Sequence, residues 1–177
     1  MKLIWDNMII DFKQPVSYLL PAVIVTLIGA GIYKVCKRGN SRITIGALLL
    51  IIYTEVLLEM TFFSREPGSR GGIDMQLLGT WGQTPVDHAY FLENIILFIP
   101  FGCLVPIVFK RINKIWICVL LGLGCSCLIE ISQYITGRGF CQLDDIITNT
   151  VGSLCGWMLW KAGDILKSRA FKKNIKI

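Results

Sequence analysis

The stretch IWICVLLGLGCSCLIEISQYI, residues 115–135, decides the fold because it is almost wholly apolar and contains a single charged residue, Glu130. A helix rises 1.5 Å per residue, so about 20 apolar residues suffice to cross about 30 Å of hydrocarbon. Four other runs approach this length, and they are approximately residues 15–33, 43–63, 90–109 and 145–163. The pattern predicts an all-α, polytopic membrane helical bundle with about five transmembrane spans.

Composition supports the same class. Of the 177 residues, 54% are hydrophobic and 17% are charged, and the mean hydropathy is +0.61. A soluble domain would have too few polar residues to cover such a core, whereas lipid accepts apolar side chains outside a bundle. We expect a single transmembrane domain over residues 15–163, an interfacial amphipathic segment at residues 1–14 and a basic cytoplasmic tail at residues 164–177.

The basic residues predict the orientation of the bundle. Most of the 18 Lys and Arg residues follow spans one, three and five, whereas the other breaks hold few of them and several carboxylates. Because Lys and Arg are retained on the cytoplasmic side, this alternation predicts an outside N-terminus and a cytoplasmic C-terminus. It also disfavours a nucleic-acid partner, since no soluble domain is available to build a basic groove. Membrane lipids are the expected partners.

The metal-binding residue types do not form a site pattern. The seven cysteines are odd in number, lie mostly inside apolar runs and lack CxxC spacing, and His88 is the single histidine. Disulfide frameworks and zinc sites require paired spacings. We therefore expect neither a metal nor another cofactor.

Polar residues inside the spans are the candidate site, because an ionisable group in lipid costs several kcal/mol unless it is paired or hydrated. Two helical faces carry such residues together with small ones. They are Gly122, Ser126, Glu130 and Gln133 in span four, and Asp145, Asn149, Gly152 and Gly156 in span five. We expect these two faces to pack together near the outer leaflet, as a ligand pocket or only as an interhelical clamp.

Two further spans contribute polar residues at the same depth. Span three begins with Glu93 and Asn94 and contains Pro100, which we expect to kink it. Arg65, after span two, and Arg138, after span four, are the cations available to this carboxylate-rich region. The long break between spans two and three, residues 64–89, is predicted to fold back over the helix ends.

Four stretches of the chain resemble the VanZ-like family of bacterial membrane proteins, in the order that the family has them. They are TFFSR at 61–65, ENIILFIPFG at 93–102, EISQ at 130–133 and RGFCQLDDIITNTVG at 138–152. The resemblance covers about residues 43–161. It implies a multi-pass protein of the bacterial plasma membrane, linked in some members to tolerance of glycopeptides such as teicoplanin, without an established biochemical activity for the family.

The matched positions give the candidate residues. Those with polar side chains, taken as ligand-binding, are Arg65, Asn94, Glu130, Gln133, Arg138, Asp144, Asp145 and Asn149. Those taken as structural are Pro100, Gly102 and Gly152, to which the helical stripe adds Gly156. The chain departs from the family at Gln142, where many members have an Asp. Asp144 and Asp145 are equally compatible with capping the helix that they begin.

Three functional hypotheses follow. In the first, the polar cluster binds a lipid-linked phosphate or cell-wall intermediate, with Arg65 and Arg138 on the phosphate. In the second, the chain is an intramembrane enzyme in which Glu130 or Asp145 is the general base, although no nucleophile motif accompanies them. In the third, the chain is a scaffold subunit. A transporter is the least expected class for five spans, and the sequence does not predict the oligomeric state.

Overall fold

The structure is a computed structural model that describes residues 4–5, 18–27, 29, 41–82, 84–109 and 111–175. The predicted interfacial segment therefore lies outside the described residues except for positions 4 and 5. Eight residues of the first predicted span (15–17, 28 and 30–33), most of the basic loop after it and the last two residues of the tail lie outside them as well.

Five helices form the described architecture. They are α1 (Tyr18–Leu27), α2 (Ser41–Leu58), α3 (Pro85–Val108), α4 (Ile115–Thr136) and α5 (Leu143–Ile175). A π-helical turn, Glu59–Phe63, continues α2. Three segments are long and apolar enough to cross a membrane, namely Ile45–Phe63, Pro85–Val108 and Ile115–Thr136. The helical membrane class is thus confirmed, while the outside N-terminus and the cytoplasmic C-terminus stay predictions.

Helix ends follow local sequence signals. Thr84 and Asp87 form a capping box at the start of α3, with Pro85 in the first turn, where its missing N–H costs nothing. The helix then continues through Pro100. Gly137 ends α4 in the left-handed conformation (φ 63°, ψ 28°), and its N–H donates to the carbonyls of Gln133 and Tyr134. This turn sends the chain back across the helix ends.

The backbones of α3 and α5 lie in direct contact. A Cβ atom added at Gly152 would collide with the carbonyl oxygen of Ile95, and one added at Gly156 would lie 2.9 Å from the Cα of Gly102. The glycine face of α5 therefore packs against α3. The prediction that the whole face packs against span four was therefore wrong for Gly152 and Gly156, whereas Asn149 of the same face contacts Ser126 of span four as predicted. The sequence does not distinguish these partners, because small residues lie on more than one face of α5.

Helix α4 packs on α5 through Gly122, Ser126 and Asn149 of the two predicted faces, together with Ser153. The Nδ2 of Asn149 donates to the Oγ of Ser126 at 2.9 Å, and both residues are buried. Gly122 faces the Ser153 side chain, leaving no room for a Cβ atom. Small and polar residues thus bring α4 close to α5, as expected for helices that lack a hydrophobic driving force between them.

A two-stranded parallel sheet covers one end of the bundle. Strands β1 (Arg70–Asp74) and β2 (Arg138–Gln142) pair with Arg70 opposite Arg138 and Asp74 opposite Gln142. The Gly68 N–H donates to the Thr136 carbonyl at 3.1 Å, which ties the loop to the end of α4. The loop therefore folds back as predicted, but the sheet was missed because two five-residue strands give no periodic signal of their own.

We predict that Gly156→Ala destabilises the protein, whereas Gly124→Ala does not. The new methyl group at position 156 would meet α3 backbone, and such overpacking costs about 1–3 kcal/mol. No atom lies within 4 Å of the Cβ position at Gly124, so there the better helix propensity of Ala adds up to about 1 kcal/mol. Thermal unfolding of the purified variants in detergent measures both; equal transition temperatures would contradict the close α3–α5 contact.

Candidate functional site

A polar cavity of about 580 Å³ lies where the sheet and the loop after α2 cover the helix ends. Its walls come from the π-helical turn, the start of α3, the first turn of α5 and both strands. Six acidic or basic side chains line it, namely Arg65, Arg70, Asp74, Asp87, Glu93 and Asp145. Three aromatic side chains, Tyr90, Phe91 and Phe140, complete the wall. The cavity thus combines charged groups with flat apolar surfaces, as small-molecule sites commonly do.

Asn94 and Asp145 join α3 to α5 at the cavity wall. The Nδ2 of Asn94 donates to the Oδ1 of Asp145 at 2.8 Å, and both side chains line the cavity. The glycine contacts described above hold these two helices close enough for the amide to reach the carboxylate. One carboxylate oxygen of Asp145 is therefore held in place by the protein.

Arg65 follows the π-helical turn and extends its guanidinium over Gly139. A Cβ atom at position 139 would lie 2.7 Å from Nη1 of Arg65, so a larger residue there would displace this guanidinium. The guanidinium interacts electrostatically with the carboxylates of Glu130 and Asp145. Within the described residues, however, no carboxylate oxygen lies within 4 Å of it and no hydrogen bond uses its donors. Arg65 is thus a cavity-lining cation with unused donors.

Arg138 and Gln133 hold the turn that carries Arg65. Nη1 of Arg138 donates to the Phe62 carbonyl at 2.7 Å, and its guanidinium lies 4.3 Å from the Phe62 ring centroid. Nε2 of Gln133 donates to the Thr61 carbonyl at 2.6 Å. Neither side chain is among those that line the cavity. The structure therefore places these two predicted ligand-binding residues behind the wall, as supports.

Glu130 supports the opposite wall. Its Oε2 accepts a hydrogen bond from the Gln142 N–H at 3.0 Å, and the residue is only 2% exposed. Gln142 itself lines the cavity and stands beside Asp74 in the sheet register. Asp74 thus stands next to Gln142, the position at which the chain departs from the resemblance described above. Of the two candidate general bases, Asp145 lines the cavity and Glu130 does not.

Asp144 attaches the loop after α2 to the start of α5. Its carboxylate accepts hydrogen bonds from the Leu78 N–H at 2.7 Å and from the N–H and hydroxyl of Thr80, both at 2.8 Å. Burial alone would raise the pKa of Asp144, but these hydrogen bonds outweigh burial and hold its pKa below the ordinary value. Asp144 therefore holds in place the loop that covers the cavity. Asn149, the last predicted ligand residue, lies deeper, against Ser126.

The sequence did not single out three charged residues of the cavity, namely Arg70, Asp74 and Asp87. One signal was present, because the dipeptide Arg70-Gly71 repeats Arg138-Gly139 and the two pair in register. His88 stacks on Trp81 with ring centroids 4.1 Å apart, beside the cavity wall. Among the described residues, no group of three or more His, Cys, Asp or Glu side chains is placed to hold a metal ion.

Comparisons with known proteins match this region of the chain. A family model described as VanZ/LLP1 matches residues 47–167, which include α3, α4 and both strands. Protein VanZ of Enterococcus faecium is 39% identical over 73 residues, which make up 39% of this chain and 42% of that protein. The chain thus aligns with less than half of that relative. No solved structure matches it significantly.

We predict that Asp144→Asn loosens the loop over the cavity. Hydrogen bonds to a charged group contribute about 1.5–3 kcal/mol, so hydrogen exchange at the Leu78 and Thr80 amides should accelerate about 10–100-fold. Asp164→Asn is the matched control, because the Asp164 carboxylate pairs with Lys161 on the exposed part of α5. Unchanged exchange at both amides in the Asp144 variant would contradict the anchoring role.

The contact between the Asp144 carboxylate and the loop over the cavity has a defined pH dependence. Because the folded-state pKa of Asp144 is lowered, its stabilisation is fully present above the ordinary Asp value of about 3.9 and is lost as the pH falls through the folded value. Loop protection should therefore persist to below about pH 4 in the unmodified chain. The Asn variant should lack this acid-dependent step.

Proposed function

Because the chain belongs to the VanZ/LLP1 family, we propose that it is a multi-pass plasma-membrane protein that contributes to tolerance of glycopeptide antibiotics such as teicoplanin. It does so by binding a lipid-linked or other cell-envelope ligand through a phosphate group in the polar cavity. The observation that carries this proposal is Arg65, whose guanidinium lines the cavity with its donors unused by the described residues.

The chemistry of arginine favours a phosphate. The guanidinium is planar, always charged and weakly hydrated, and its parallel N–H donors match two oxygens of one phosphate. Charge-assisted hydrogen bonds of this kind are stronger in a partly desolvated cavity than in water. Arg70, at the start of β1, also lines the cavity and supplies a second cation at its more exposed side.

The predicted orientation favours a ligand from the outer leaflet. With the N-terminus outside, the loop after α2 and the cavity beneath it face the extracytoplasmic side, where lipid headgroups and lipid-linked wall intermediates present their phosphates. Tyr90 and Phe140 are exposed next to the cavity. Exposed aromatic side chains are favoured at the membrane interface, so an acyl or isoprenoid chain could leave the cavity along this side.

We predict that Arg65→Ala weakens binding of phosphate-bearing lipids at least about tenfold, because one charge-assisted contact contributes about 1.5–3 kcal/mol. Titration of the purified full-length protein with short-chain phosphatidylglycerol measures the affinity. Arg169→Ala is the matched control, since Arg169 lies on the exposed end of α5 far from the cavity wall. Gly139→Ala should weaken binding as well, by displacing the guanidinium of Arg65.

Equal affinity of the Arg65→Ala protein and the unmodified chain, with both proteins folded, would contradict the phosphate assignment. Recovery of the lipid with an altered mass would instead favour the enzyme hypothesis with Asp145 as general base. Absence of any lipid binding, together with a stoichiometric crosslinked protein, would favour the scaffold hypothesis.

At the level of the cell, we predict that expression in a teicoplanin-sensitive bacterial host raises the minimal inhibitory concentration of teicoplanin. The Arg65→Ala protein should lose this effect at equal membrane abundance, because it no longer holds the ligand, whereas Arg169→Ala should retain it. If both variants protect the cells equally, teicoplanin tolerance does not depend on ligand binding in the cavity.

A further inference from the structure

The charges that line the cavity do not balance. Three carboxylates, those of Asp74, Asp87 and Asp145, face two guanidiniums, those of Arg65 and Arg70, even when Glu93 is left out of the count. A phosphate on Arg65 would add another negative charge to this group. Like charges in a partly desolvated site repel strongly, so a ligand that is only anionic matches this cavity poorly.

We infer that the ligand is zwitterionic and carries a protonated primary amine in addition to its phosphate. This inference rests on the proposed function and specifies its ligand class. The phosphate binds Arg65, and the ammonium group binds the carboxylates of Asp74 and Asp87. Phosphatidylethanolamine-type headgroups and amine-bearing wall precursors both have this chemistry.

The carboxylates are held in position with acceptor capacity left over. Oδ1 of Asp74 accepts from the Gln76 N–H at 3.0 Å, and Oδ2 of Asp87 accepts from the N–H and hydroxyl of Thr84 at 3.0 and 2.7 Å. The second oxygen of each carboxylate accepts no hydrogen bond from the described residues. An ammonium group has three donors and no acceptor, so it suits two such oxygens. Because these acceptors are already positioned, little ordering is required on binding.

The aromatic wall adds to the preference for a cation. Phe91 lines the cavity beside Asp87 and is held by an edge contact with Trp81 at 5.0 Å between ring centroids. The face of an aromatic ring attracts ammonium groups. A metal ion is the less fitting cation, since among the described residues no three His, Cys, Asp or Glu side chains are placed to hold one.

Paired lipid titrations test the inference. The purified full-length protein is titrated with short-chain phosphatidylethanolamine, with its N-acetylated form and with phosphatidylglycerol. All three carry one phosphate, but only the first carries a cation. We expect phosphatidylethanolamine to bind at least tenfold more tightly than the other two, with the same affinity in EDTA.

Charge-neutralising variants locate the amine. Asp74→Asn should reduce the preference for phosphatidylethanolamine severalfold while leaving phosphatidylglycerol binding equal or tighter, and Asp164→Asn should leave both unchanged. Asp74→Asn is the primary variant because Asp87 also caps α3. Asp87→Asn, with its fold checked by thermal unfolding, should act in the same direction.

The outcomes separate the two proposals. Equal affinity for all three lipids would overturn the zwitterion inference and leave phosphate binding intact. Failure of all three lipids to bind the folded protein would overturn the proposed function itself. A preference that disappears in EDTA would replace the ammonium group with a bound divalent cation and would also overturn the inference.

Discussion

The close approach of α3 and α5 is the contact on which the rest of the structure depends. Lipid is as apolar as the helix surfaces, so helices in a membrane associate through tight packing and polar contacts rather than by exclusion of water. Gly102, Gly152 and Gly156 allow backbone to meet backbone. This spacing lets Asn94 reach Asp145 at 2.8 Å, which joins the two helices at the cavity wall.

Arg65 and Arg138 have different roles because different groups lie beside them. In the π-helical turn at residues 59–63, the carbonyls of Thr61 and Phe62 accept hydrogen bonds from the side chains of Gln133 and Arg138. Arg65, just beyond this turn, passes over Gly139 into the cavity because no Cβ atom stands in its way. Arg138 thus stabilises the backbone, and Arg65 lines the cavity.

The length of the apolar runs was enough to predict a helical membrane protein, since few other folds place so many apolar side chains outside. The order of four short motifs was enough to identify the family. The sheet could not be predicted, because β1 and β2 are each five residues long and far apart in the chain. For the same reason, the sequence did not identify Arg70 and Asp74 as cavity residues, since they line the cavity only because β1 pairs with β2.

The sequence by itself determined that this is a membrane protein, that it is helical, and which polar residues must avoid lipid. These depend on composition and local spacing, which a linear chain contains in full. Only the tertiary structure decided that Arg65, Asn94 and Asp145 line the cavity while Glu130, Gln133 and Arg138 stand behind it. That division depends on how distant segments cross and pair, and residues with the same helical spacing point to different neighbours once the helices are packed.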